Sequence, residues 1–230
     1  MAGTRRRAPA AVPTPRAFDA GCVDCTRLCE YLADSRRRYA DHRGLPVPAF
    51  GVARPGLLIV GLAPGLHGAN RTGRPFTGDH AGILLYATLH AHGFASRAVS
   101  TAADDGLKLI DARITNAVRC APPQNKPLPA EVRACAGYLV ADLAGVRSGG
   151  VVLALGRIAH ESILASLGLP PREHAFAHGA RHELPGGLTL LDSYHCSRYN
   201  TQTRRLTPAM FDAVFAKARA IIQAAIPARS

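Results

Sequence analysis

The sequence predicts an α/β chain whose parallel sheet is covered by helices on both faces. Three observations predict it. Short apolar runs of strand length alternate with longer segments of helical pattern. Each run ends in Gly or in polar residues, where a strand should hand over to a loop or helix. The chain has 230 residues and is 47% hydrophobic, enough to bury a core of its own.

The elements follow in order. Residues 1–17 are rich in Arg, Pro and Ala and read as a disordered basic tail, with a single domain over 18–230. A helical pattern runs from Cys25 to about Tyr39, and Pro46 and Pro48 break it off from the first strand. That strand is the run Leu57, Leu58, Ile59, Val60, closed by Gly61. A long Gly/Pro-rich loop reaches Asp79, and a helix follows over 82–92 with Gly93 as its stop. The second strand is expected over 113–118, and the Pro-rich residues 121–129 must be loop. Pro129 at a first helical position and Glu131 in the first turn open a helix to about Val146. The third strand is expected over 151–155, then a helix from Gly156 to about Leu167. A fourth strand over 188–191 runs into Ser193, Tyr194 and His195. Thr207 and Pro208 read as cap and first residue of a last helix.

Composition narrows the function. No run of 18 apolar residues exists, so no membrane partner is expected. Six cysteines without an export signal argue for a reducing cytoplasm and for metal ligation over disulfides. Net charge is +12, and the tail supplies only part of the excess. Only Lys108, Lys126 and Lys217 are Lys among 28 basic residues, and Arg forks suit phosphate contact.

Cys22 and Cys25 form C-x2-C, and Cys120 and Cys135 form C-x14-C about a hundred residues later. Two distant pairs suggest one closed four-thiolate site, for zinc or for an iron–sulfur cluster; spacing alone does not separate them. Cys29 competes for the fourth place, and Cys196 reads as filler. The turn Gly61-Leu62-Ala63-Pro64-Gly65 after the first strand lets backbone approach a ligand, yet it is neither G-x-G-x-x-G nor a Walker loop. Asp79 offers a carboxylate near that turn, or simply a helix cap. Phe76 lies in a polar stretch, where an aromatic stacks on a base or fills a core. His195 ends the fourth strand and leads into the Arg/Asn/Thr-rich loop 197–205, with Ser197 and Arg198 at its start. In parallel sheets ligands bind outside the carboxyl ends of the strands, and these residues collect there. A catalytic module, a metal-stabilised nucleic-acid-binding module and a small-molecule nucleotide enzyme all fit the separate parts; the missing phosphate loop counts against the last.

Taken together, GLAPGLHGANRTGRPFTGD, TNAVRCAPPQNKPLP, ALGRIA and YHCSRYNTQTRRLT resemble the uracil-DNA glycosylase superfamily, in its iron–sulfur family 5 (type b) branch. The resemblance spans about residues 22–210. It implies three layers, a central four-stranded parallel sheet flanked by helices. It implies a [4Fe–4S] cluster on Cys22, Cys25, Cys120 and Cys135, with Cys29 free. It gives catalytic roles to Asp79, His195 and Asn125, and substrate contacts to Gly61, Ala63, Gly65, Phe76, Asn116, Ser197 and Arg198. The expected enzyme is a monomeric, monofunctional base excision repair glycosylase at the bacterial nucleoid. It would flip uracil, and deaminated purines as well, out of double-stranded DNA. No Lys is placed for Schiff-base chemistry, Lys126 being nearest, so no strand cleavage is expected.

Overall fold

The computed structural model describes residues 12–226. Six strands form one sheet in the order β1-β3-β2-β4-β6-β5. The four anticipated strands are its parallel centre: β2 (Leu57–Gly61), β3 (Ala112–Asn116), β4 (Val151–Leu155) and β6 (Leu188–Ser193). Two further strands enlarge the four-stranded sheet. β1 (Phe50–Gly51) and β5 (Arg181–Leu184) each add one antiparallel edge, paired to β3 and β6. Neither has an apolar run to announce it, because an edge strand buries little.

β2, β4 and β6 are buried along their whole length, as strands covered on both faces must be. One face packs α3 (His80–Ala91) and α7 (Pro208–Ala224), through Leu85, Leu89, Phe211 and Phe215 against Leu57, Ile59 and Leu153. The other packs α4 (Pro129–Ala144) and α5 (Arg157–Ser166), through Leu139, Leu143, Ile163 and Leu164 against Leu58, Val60 and Val152. The alternation of 57/59 and 58/60 between the faces is the period-two geometry of a strand. Helix starts follow the expected chemistry: the Thr207 hydroxyl accepts from Met210 N at 3.2 Å, with Pro208 behind it. None of the described helices is long and apolar enough to cross a membrane.

A third apolar cluster ties the N-terminal part to this frame. α1 (Thr26–Arg38) lays Leu28 and Leu32 against Val118, Cys120, Cys135 and Tyr138. The Arg27 guanidinium grips Glu131 of α4 with two 2.7 Å hydrogen bonds. Glu131 also accepts from Leu128 N at 2.7 Å, so one carboxylate caps α4 and docks α1. Most of the tail expected over 1–17 lies outside the described residues. Arg16, inside them, donates its backbone N–H to Gly137 O at 2.9 Å and holds its guanidinium 4.9 Å from the Tyr138 ring centroid.

The loop after β2 contains a single-turn helix, α2 (Ala69–Thr72), and is firmly anchored. Arg74, 4% exposed, reaches Asp105 at 2.7 Å and Ser100 at 3.0 Å and stacks on Phe50. Burial opposes the Asp105 charge, yet Arg74 and the backbone N–H groups of Leu107, Thr101 and Ala102 hold its carboxyl well below the usual range. Tyr86 of α3 donates to Pro75 O at 2.8 Å. Between these anchors Phe76 sits at φ 55°, a left-handed conformation unusual for an aromatic residue. Its carbonyl lies directly over Gly82 of α3, where a Cβ would stand 1.8 Å from the oxygen.

Inside a helix Ala is ordinarily about 1 kcal/mol better than Gly. Here the contact with the Phe76 carbonyl reverses that sign. Gly82→Ala is expected to cost about 1–3 kcal/mol, the range for overpacking, read as a lowered denaturant midpoint. A raised midpoint would show that the Phe76 turn does not rest on α3.

Candidate active site and thiol site

The carboxyl ends of β2, β3 and β6 open into a cleft of about 380 Å³. Ala63, Gly65, Phe76, Asp79, Asn116, Asn125, His195, Ser197 and Arg198 all line it. Of the residues singled out from the sequence for catalysis or substrate contact, only Gly61 stands outside the lining. It ends β2 fully buried, and a Cβ there would lie 2.4 Å from Asn116 Oδ1 and 2.7 Å from Phe76 Cζ. Its bare backbone is the floor on which those two side chains meet.

Asp79 does two things at once. Its Oδ1 accepts from Gly82 N at 2.9 Å and caps α3. Its Oδ2 faces the turn of Gly65 and Gly68. Burial raises its pKa, and the N–H groups of Gly82 and Ala81 offset only part of that. His195 lines the same cleft, its ring centroid 5.8 Å from that of Phe76 at an interplanar angle of 29°. Burial alone pushes its pKa down to about 4, so the ring is neutral at neutral pH. Asn200 donates from Nδ2 to His195 O at 2.8 Å and fixes the turn that carries it.

Asn116 is 3% exposed, and its Oδ1 has no hydrogen-bond partner among the described residues. Asn125 is exposed at φ 56° on a short turn after the Pro-rich stretch. Ser197 spends its hydroxyl as a cap, accepting from Asn200 N at 3.4 Å, and opens the five-residue helix α6 (Arg198–Gln202). The loop expected there is therefore partly helical. Arg198 lines the cleft, whereas Arg205 lies 4.7 Å from the Tyr194 ring centroid. Sequence reasoning missed His80, which also lines the cleft and whose buried Nδ1 has no hydrogen-bond partner among the described residues. Its place next to Asp79 in the TGD segment was the available signal. The cleft thus presents a carboxylate, a neutral imidazole and a free amide around an aromatic face.

The cysteines gather on the far side of the β3 loop. Cys22, Cys25, Cys29, Cys120 and Cys135 line one small cavity with Asp24, Arg119 and Tyr138. Cys120 and Cys135 are buried, and Cys29 points its thiol toward Cys22 O at 3.9 Å. Burial and the neighbouring thiols raise the pKa of Cys25 to about 11 and that of Cys120 further. For Cys135 burial also raises it, against the Arg119 backbone N–H and charge. Such thiols become thiolates only with a cationic centre to pair with.

Comparison with known proteins agrees with this geometry. The family model described as Uracil DNA glycosylase superfamily matches residues 48–219. The chain is 49% identical over 203 residues to a protein of Thermus thermophilus named Type-5 uracil-DNA glycosylase, covering 86% of this chain and 92% of that one. A Mycobacterium leprae protein of the same name is 43% identical over 216 residues, covering 90% and 94%. A Type-4 uracil-DNA glycosylase of Archaeoglobus fulgidus is 37% identical over 118 residues, about half of each chain. With the match running from before β1 into α7 and the cleft built from its motifs, the chain belongs to the uracil-DNA glycosylase superfamily, in its type-5 branch.

Proposed function

We propose that this chain is a monofunctional glycosylase that flips uracil out of double-stranded DNA and hydrolyses its N-glycosidic bond. The observation that carries the reading is the meeting of Asp79, Asn116, Phe76 and His195 in one cleft at the sheet's carboxyl ends. A base in a duplex must leave the stack to reach such a cleft. Phe76 then offers its face to the base. Held in one orientation, the Asn116 amide offers Oδ1 to the N–H and Nδ2 to the carbonyl on the edge of uracil, an orientation that mismatches cytosine. Bond breaking puts negative charge on the leaving base and positive charge on the sugar. Neutral His195 donates a hydrogen bond to the base oxygen as its charge grows, and Asp79 stabilises the oxocarbenium ion and orients water. Asn125 stands at the rim near that water. Ala63 and Gly65 bring backbone close to the substrate, and Arg198 meets a phosphate. No lysine lines the cleft, which supports hydrolysis without strand cleavage. Deaminated purines belong to the same proposal, since stacking on Phe76 does not depend on which base is presented. Incubating purified protein with single-lesion duplexes and then heating with alkali tests it. Cleavage at uracil only after alkali is expected, and an intact uracil strand would overturn the reading.

The thiol cavity fits a [4Fe–4S] cluster held by Cys22, Cys25, Cys120 and Cys135. Thiols from the start of α1, from the loop after β3 and from α4 converge on that cavity, the donor set that an iron–sulfur cluster requires. A bound cluster supplies a rigid cationic core for the thiolates. The residues around it tie α1 to α4 and to the loop after β3, and none of the residues lining that cavity lines the cleft. Cys120→Ala should lose the yellow-brown colour and much of the stability, while Cys29→Ala keeps both. Zinc without iron or sulfide in anaerobically purified protein would refute the cluster.

Asp79→Asn separates the two tasks of that residue. Asn caps a helix about as well as Asp, so fold and DNA affinity should persist. Single-turnover excision should fall by about 10²–10³, as when one preorganised electrostatic group is lost. A wild-type rate would leave Asp79 as a cap alone.

The two depressed or raised groups fix the pH dependence. His195 stays neutral above about 4, so no limb is expected near the ordinary histidine value. Burial raises the Asp79 pKa above its ordinary value, so activity should rise with pH as Asp79 ionises and then stay level. His195→Gln, which keeps a donor, should retain more of the chemical step than His195→Ala. Activity falling as pH rises from 6 to 7 in the wild type, but not in His195→Gln, would show a protonated His195 instead.

A further inference from the structure

The base-excision reading leaves one buried polar cluster unused. It lies on the α5 face of the sheet, at the β5–β6 edge. His182 of β5 pairs in register with Leu190 of β6, and Asp192 stands two residues further along the same face. His160 of α5 comes down onto them. His160 Nδ1 is 2.7 Å from Asp192 Oδ1, and His182 Nε2 is 3.4 Å from Asp192 Oδ2. One ligand atom from each of the three lies within 4.8 Å of the others. His160 is 1% exposed and Asp192 fully buried.

Two features point to a missing occupant. Asp192 Oδ2 and His182 Nε2 are both buried without a hydrogen-bond partner among the described residues. Unpaired buried polar atoms are costly, and a carboxylate oxygen most of all. Second, His160 Nε2 lies 2.8 Å from His174 O. A backbone carbonyl on one ring nitrogen sets the tautomer and aims the other nitrogen's lone pair inward, as in metal-ligating histidines. A proton on His160 pairs with Asp192 Oδ1, while the 3.4 Å approach of His182 Nε2 to Asp192 Oδ2 falls short of hydrogen-bond geometry. A divalent cation satisfies all three.

We propose that His160, His182 and Asp192 bind a divalent transition metal, of the class of zinc, distinct from the thiol cavity. Two imidazoles and one carboxylate match its ligand preference. His174, whose ring centroid is 5.6 Å from that of His182, is a further imidazole beside the site. The ion clamps β5 to α5 and β6 through Asp192, three residues before His195, which lies in the turn that follows β6. Its role is structural, and the proposal stands independently of base excision.

The test compares the full, cluster-loaded chain with His182→Gln and Asp192→Asn after loading with zinc and removing the excess. Wild type is expected to retain about one more equivalent of zinc than either variant, with equal iron in all three. Zinc should raise the thermal midpoint of wild type and not that of His182→Gln. Cobalt loaded in place of zinc should give weak visible bands without thiolate charge transfer, since this site holds no sulfur. Equal zinc in wild type and His182→Gln, or cobalt bound only with thiolate charge transfer, would overturn the proposal. Should Asp192→Asn fail to fold, the partly exposed edge residue His182 still decides.

Discussion

The cleft depends on the absence of a side chain at Gly61. The last residue of β2 stands in register with Asn116 on β3, and the Phe76 ring closes over it. Any Cβ would strike both. Accepting that contact has consequences along the chain. Phe76 must adopt a left-handed backbone to turn its ring inward, and its carbonyl then needs the bare surface of Gly82. The loop holds this strained arrangement because Arg74, Tyr86 and Thr77 fasten it on both sides, Thr77 bonding Ser100 at 2.7 Å. The aromatic face and the amide are therefore built into the sheet's end.

The thiol cavity extends this order to the N-terminal part. α1 has few buried side chains of its own, chiefly Leu28, Leu32 and Ser35. Such a helix is marginal alone. It stays through the Arg27–Glu131 grip and through cysteines shared with the loop after β3 and with α4. That same loop leads from Asn116 to Asn125. The proposed cluster would thus brace one wall of the cleft without touching a substrate.

Much of this was legible in the sequence because it rests on local rules. Runs such as residues 57–60 are buried on both faces and read as strands directly. Thr207-Pro208 and Pro129 marked helix starts correctly. The long motifs brought Phe76, Asp79, Asn116 and His195 to one end of the sheet. Elements that bury little were hidden. β5 carries Arg181, His182 and Glu183, a polar series with no strand period, and β1 has two residues. The short helices α2 and α6 are set by Gly68 and Ser197 at their starts, within stretches of loop composition. His160, His182 and Asp192 have no characteristic spacing and meet only through the β5–β6 pairing.

The two unforeseen edge strands bear on solubility. β2 and β4 are nearly continuous in Leu, Ile and Val, and the outer parallel strands β3 and β6 would expose an unpaired rim if they ended the sheet. A free rim of that kind recruits further chains and seeds aggregates. β1 covers one side with only two residues, too short to template a neighbour. β5 covers the other with an exposed Arg181 and Glu183, charges that an incoming strand would have to strip of water. The sheet can therefore be intensely apolar at its centre while neither of its edges invites another strand.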